Sequence, residues 1–243
     1  MRVRAFSSRV TKEILRDPLT LGFGLGFPVV LIVLLSAIQA NIPVDLFEIE
    51  RLAPGMVVFG LAFISLFAAT LIARDRESAF LQRLFATPMT PADFIIGYAL
   101  PFIPMAAAQS AVCYCVAFII GLTPSVNVLY SVLSVIPLSL FFIFFGLMCG
   151  SVLSVKQVGG ICGALFTNLT AWLSGIWFDL DLVGGAFKKA AEILPFYHAV
   201  NAERSIIAGV TAGMGTDIAV TAVYTAAAAV AAILLFLKQM KKR

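Results

Sequence analysis

From Phe94 to Val155 the chain runs for 62 residues without an Asp, Glu, Lys or Arg. As a single α-helix, at 1.5 Å per residue, this stretch would be roughly 90 Å long, about three bilayer cores. It must therefore fold back inside an apolar medium, and Gly121-Leu-Thr-Pro-Ser-Val-Asn127 supplies the turn chemistry. The rest of the chain agrees. Hydrophobic residues make up 61% and charged residues 12%, against roughly 25% charged in soluble domains. Too little polar surface remains for a water-soluble globule, and too little charge for a disordered chain. Four cysteines in 243 residues are too sparse for a disulfide scaffold. No segment alternates apolar and polar residues as a membrane barrel requires. The fold class is all-α, a polytopic helical membrane protein.

Charge-free runs of about 20 residues mark the spans. Six are expected, near 19–38, 52–73, 94–120, 128–150, 157–178 and 218–237. They make residues 18–243 one membrane domain, preceded by an amphipathic segment over 1–17. An even number of spans puts both termini on one side. The face holding the N-terminus, the 74–93 loop, the 151–156 turn and the C-terminus carries 13 Lys and Arg, and the other carries 4. The positive-inside rule assigns the richer face to the cytoplasm. The first apolar run is longer and starts later than a signal-peptide core, so retention of that span is expected.

Val3, Phe6, Val10 and Ile14 recur at helical spacing, with Arg2, Arg4, Arg9, Lys12 and Arg16 around them. This is the pattern of a basic amphipathic helix in the cytoplasmic headgroup layer; a plain positive flank to the first span is the simpler alternative. Asp17-Pro18 breaks the helix and turns the chain into the membrane.

Several chemistries are missing from the sequence. There is no Gly-Lys dipeptide and so no P-loop. Gly-x-Ser-x-Gly and His-Glu-x-x-His are absent. Cys113, Cys115, Cys149 and Cys162 lack zinc-ligand spacing and have one histidine to join them; they read as small packing residues. The six spans contain no ionisable residue to mark an ion or proton path, so any transport would draw its energy from another subunit.

Three segments carry information. In Arg74–Pro88, the residues Phe80, Leu81, Leu84 and Phe85 share one helical stripe, which fits docking in a partner's groove or lying flat on lipid. Thr87-Pro88 and Thr90-Pro91 end it, and Asp93 is placed to cap the third span. Between Phe178 and Asp217 the chain is too polar for a full span yet retains Ile193-Leu-Pro-Phe196 and Ser205-Ile-Ile-Ala-Gly209. Two short helices dipping into the outer leaflet are expected there. His198, Asn201 and Ser205 share a polar face, and Tyr197, Asn201 and Arg204 form an overlapping set, fit to line an aqueous exit or to satisfy interfacial hydrogen bonds. Finally, Gly22 and Gly26 in the first span, and Gly159 and Gly163 in the fifth, have the Gly-x-x-x-Gly spacing of close helix contacts.

Over its whole length the chain resembles the permease subunit of type-2 ATP-binding-cassette (ABC) transporters. Arg76-Glu77-Ser78 with Leu81, Leu84 and Thr87-Pro88 is similar to the family's Glu-x-Gly-Thr-Leu-Glu-x-Leu-x-x-Thr-Pro loop. Leu173-Ser-Gly-Ile-Trp-Phe178, Leu194-Pro195, Tyr197-His198-Ala199 and Arg204 resemble its Ser-Gly-x-x-Phe-Pro…Leu-Pro-x-x-Tyr…Arg stretch. Ala79, Phe80 and Gln82 replace the usual Gly, Thr and Glu, and Asp179 replaces a proline, so the loop is bulkier and less acidic.

The resemblance implies an exporter subunit in a bacterial cytoplasmic (inner) membrane, with both termini inside. Residues 74–88 would form the coupling helix on a separate ABC ATPase, through Arg76, Glu77, Phe80, Leu81, Leu84, Phe85, Thr87 and Pro88. The N-terminal segment would be the elbow helix. A second permease subunit, identical or homologous, would complete a path lined by the first, second and fifth spans, with Gly22, Gly26, Gly159 and Gly163 at the subunit contact. Tyr197, His198, Asn201 and Arg204 would belong to a re-entrant segment or exit. ATP and Mg would sit on the partner ATPase, with no cofactor or metal on this chain and no nucleic-acid partner. A path free of charge favours a small amphipathic drug, antibiotic or lipid as cargo. The alternatives are a polysaccharide or lipid-linked sugar, or, in a different class, a membrane enzyme or assembly factor.

Overall fold

The computed structural model describes residues 2–78, 80–81 and 87–241. Among these the chain is helical with no strand. Helix α1, Arg2–Leu15, ends where Asp17 caps the next helix, accepting hydrogen bonds from the amides of Leu19 and Thr20 at 3.1 and 3.2 Å. Among the described residues five helices are long and apolar enough to cross a membrane: α2 (Pro18–Gln39), α3 (Ile49–Glu77), α4 (Pro91–Ile120), α5 (Val126–Gly150) and α10 (Met214–Lys241). Asp93 acts at α4 from the third helical position and not as the cap itself. Thr90 is the cap, and the two residues form a reciprocal capping box.

The segment expected to be the fifth span is helix α6, residues 155–173. It is more polar than the other five, which keeps it outside that group. Its path is nonetheless long. Val155 N–H donates to Glu77 at the end of α3, Gly163 lies against Leu66, and Ile176 beyond its end lies against Gly55. Together α6 and the turn after it run antiparallel along nearly the whole of α3.

Three shorter helices follow: α7 (Leu180–Val183), α8 (Gly185–Ile193) and α9 (Pro195–Ala208). The α8–α9 turn lies beside the middle of α10, with Ile193 exposed and Phe196 buried. Ile193 C=O accepts a hydrogen bond from Tyr224, ten residues into α10, and Phe196 meets Phe166 of α6 edge-on. The far end of α9 is shallower, where Ile207 C=O accepts from Asn127 at the start of α5.

Helix α3 is the centre of the bundle. Between Leu52 and Ala73 only Phe63, Leu66, Phe67 and Thr70 escape full burial. Its tightest partner is α5, where a Cβ on Gly146 or Gly150 would run into the backbone of Ser65 or Ala69. These glycines are four apart and face residues four apart, the geometry by which small residues bring two membrane helices into backbone contact.

Candidate functional site

The four half-exposed residues of α3 follow the 3, 4 and 7 spacing of one helix face. That face is a groove between α2 and α6. Phe27 of α2 approaches Phe63 at 5.0 Å between ring centroids, and Phe59 bridges Phe27 at 6.5 Å and Trp177 at 6.2 Å. The α3 residues of this face are aromatic and aliphatic with one hydroxyl, Thr70. Such a surface can hold apolar or amphipathic molecules and offers nothing to a hydrated ion.

Both walls depart from α-helical winding at their glycines. Gly22–Gly26 in α2 and Gly159–Phe166 in α6 are wound as π-helix. Pro28 accounts for the first: it has no N–H for Gly24 C=O and its ring crowds that carbonyl, so a wider turn relieves the clash. In the second, the Thr167 hydroxyl donates to Cys162 C=O at 2.9 Å, satisfying an acceptor of the widened turn. Short π segments within α-helices occur often at functional sites. Gly22, Gly26 and Gly159 have open space where a Cβ would stand, while Gly163 touches Leu66 of its own chain.

At the end of the bundle near α1, the docking-loop residues are partly committed to internal contacts. Arg76 donates to Leu153 C=O, and Glu77 accepts from Val155 N–H at 2.9 Å. Together they clasp the turn between α5 and α6. Leu81 is buried, and Phe80 lies beneath the Arg9 guanidinium, 3.9 Å from its ring centroid. Thr87 is half-buried and Pro88 exposed at the turn leading into α4. Leu84 and Phe85 lie outside the described residues.

Asp75 anchors this end. Its buried carboxylate accepts from Arg9 Nη1 at 2.6 Å, Arg9 Nη2 at 2.8 Å and Tyr98 OH at 2.7 Å, tying α1, α3 and α4 together. The hydrogen bond with Asp75 raises the Arg9 guanidinium above its ordinary pKa against the opposing effect of burial. Burial raises the Glu13 carboxyl despite the attraction of Arg9. For Asp17 burial pushes upward, but the hydrogen bonds from Thr20 and Leu19 outweigh it and hold the group below the usual carboxylate range. The apolar side of α1 is covered by protein: Phe6, Val10 and Ile14 are buried, with Phe6 edge-on to Phe94 and Tyr98 at 5.6 and 4.8 Å.

At the opposite end the polar residues of α9 do not converge on one point. His198 Nδ1 lies 2.6 Å from Asp217 Oδ1 and its Nε2 lies 2.8 Å from Glu192 C=O. Arg204 donates to Arg51 C=O at 3.2 Å and to Gly175 C=O at 3.0 Å. Tyr197 stacks edge-on to His198 at 5.4 Å, and Asn201 is half-buried. Between them stands Glu203, fully buried against α5. Ser131 and Ser134 each donate a hydroxyl to one of its carboxylate oxygens. Since Ser131 spends its proton there, Tyr114 OH, 2.6 Å away, donates to Ser131. Residues 52–73, 94–120, 128–150 and 218–237 contain no Asp, Glu, Lys or Arg, yet α9 carries a carboxylate into their midst from the side.

Comparison with protein families decides the identity. The model described as "ABC-2 type transporter" matches residues 1–208, from α1 to the last residue of α9. The chain belongs to the ABC-2 type transporter family. As an ABC-2 chain it is a membrane permease component of a transporter, of a family that generally lacks its own ATPase site and works with an ABC ATPase. Comparison with curated proteins gives no significant match.

Within this ABC-2 chain, sequence reasoning anticipates the amphipathic helix α1 and the short helix α9. It misses Phe63, Phe67, Asp75 and Glu203. The phenylalanines are lost in a uniformly apolar run, and Asp75 sits between two arginines where a solvated charge run is the obvious reading. Glu203 was discoverable only as an acid beside Arg204 on a helix too apolar to be solvated.

Proposed function

We propose that this chain is the membrane subunit of an ATP-driven exporter, and that its cargo moves along the α3 face formed by Phe63, Leu66, Phe67 and Thr70. That face carries the reading, because it is the one side of the central helix not fully buried between Leu52 and Ala73. A second permease subunit, identical or homologous, closes the groove by contacting the α2 and α6 walls, where Gly22, Gly26 and Gly159 leave room for close approach. The aromatic walls and lack of charge suit an amphipathic drug, antibiotic or lipid. A groove open at bilayer depth receives such cargo sideways from the lipid, which favours export.

The proposed topology has six spans with both termini in the cytoplasm of a bacterial inner membrane. The antiparallel course of α6 along α3 supports the sixth span, and the 13-to-4 distribution of basic residues supports the orientation. The contact of the α8–α9 turn with Tyr224, ten residues into α10, supports a re-entrant hairpin. Helix α1 acts as the elbow. Residues 74–88 dock on a separate ABC ATPase that binds ATP and Mg, and the clasp of Arg76 and Glu77 on the 151–156 turn passes movement of that loop directly to α6.

Purification of the tagged chain from its native membrane tests this. A P-loop ATPase subunit should co-purify and hydrolyse ATP. Purification without any ATPase, with residues 74–88 intact, would sink the proposal.

A further inference from the structure

Between α1 and the adjoining ends of α2, α3 and α4 lies a cavity of about 780 Å³, which adjoins the α3 groove and shares Phe67 and Thr70 with it. Four basic residues line it, Arg9, Lys12, Arg16 and Arg74, against two acids, Glu13 and Asp17. The acids are already engaged. Glu13 pairs with Arg9 at 2.8 Å, and Asp17 caps α2 with Arg74 3.8 Å away. Arg9 is held by Asp75 as well. Lys12 and Arg16 are the surplus. Both are exposed, both line the cavity, and neither makes an ion pair with a described residue. Lys12 is on the last turn of α1 and Arg16 is the residue that follows its end.

Below this rim the lining turns apolar, through Leu71, Phe67 and Phe102. Phe67 is seven residues inward from Arg74 along α3, about 10 Å at 1.5 Å per residue. The cavity is therefore cationic at the level where the spans begin and apolar deeper in. Phosphate esters match the rim, and only a phosphate ester bearing acyl chains matches rim and wall together. Basic pockets between helices at the headgroup level attract anionic lipids.

We propose that this cavity is a binding site for an anionic phospholipid, with Lys12 and Arg16 holding the phosphate and Phe67 lying along an acyl chain. The site borders the proposed path at Phe67 and Thr70, but lipid binding at Lys12 and Arg16 needs neither an ATPase nor a second subunit and can be tested without them. An occupied site would fill the space between α1 and the bundle and so fix α1 in place.

The purified chain in detergent, titrated with phosphatidylglycerol or with phosphatidylcholine of the same acyl chains, tests this by native mass spectrometry. Phosphatidylglycerol should be retained in preference. The double variant Lys12→Gln, Arg16→Gln should weaken its retention by about tenfold or more, from the roughly 1 kcal/mol that each basic residue near an anionic surface contributes. Both residues are exposed, so the fold is kept. The variant Lys238→Gln, Lys241→Gln removes two exposed charges outside the cavity and should leave retention unchanged. Equal binding of both lipids, unchanged binding by the first variant, or equal loss in the second would each overturn the site. Displacement by water-soluble glycerol phosphate at the same concentration as the lipid would show a free-phosphate site and would also overturn it.

Discussion

Arg9 grips Asp75 with both terminal guanidinium nitrogens, at 2.6 and 2.8 Å, across 66 residues of sequence. The pair joins the N-terminal helix to the central helix of the bundle, and Tyr98 completes it from α4. Asp75 is buried while Arg9 is partly open to solvent. Removing the arginine therefore strands a buried carboxylate. Arg9→Ala should cost about 3 kcal/mol, the lower end for breaking a buried pair. Arg9→Lys should recover little, because an ammonium cannot reproduce the two-pronged contact. In Asp75→Asn the loss from Arg9→Ala should shrink, which a double-mutant cycle on thermal unfolding in detergent would measure.

Glu203 is the second buried acid, and its role is to seat α9 against α5. Glu203→Ala removes the acceptor for both Ser131 and Ser134 and should destabilise the chain by about 2 kcal/mol. Glu203→Gln retains one acceptor oxygen and should cost less. Hydrogen exchange should report the difference locally, with faster exchange in α9 and little change in α1.

The two kinds of glycine pair give opposite expectations. Gly146→Ala puts a methyl into the Ser65 backbone and should force α3 and α5 apart, costing about 1–3 kcal/mol as an overpacking defect. Gly22→Ala meets open space in the single chain and should leave its unfolding temperature unchanged. If Gly22 is at a subunit contact, the same change should lower the dimer fraction. Unfolding by heat and size-exclusion chromatography of the two variants separate these effects.

Hydropathy and charge placement make the helical membrane fold legible, along with the helix break at Asp17-Pro18 and the amphipathic character of α1. These features are local, set by neighbours within a turn or two. The pairing of helices is not local. Gly146 and Gly150 lie in the same uniformly apolar run as residues that face lipid, and nothing in their spacing sets them apart from Gly22 and Gly26. The same limit hides the α3 groove: Phe63 and Phe67 differ from Phe59 only in what stands opposite them. Residues 155–173 show the converse. The Lys156, Gln157 and Asn168 side chains depress the hydropathy of a helix whose contacts run the length of α3, so packing rather than composition indicates its course. For α1, periodicity correctly selects Phe6, Val10 and Ile14 as one face, but their partner is protein where the sequence pattern alone suggests lipid.

Photo-crosslinking tests most directly whether the α3 face lies on a path shared with a second subunit. Benzoylphenylalanine is placed at Leu66 or Phe67 in native membranes, with Val223 on the exposed side of α10 as the comparison. Leu66 and Phe67 should yield adducts with a second permease chain, and Val223 should yield none. Adducts from Leu66 and Phe67 confined to lipid and to the same chain would contradict the placement of the path at a subunit interface.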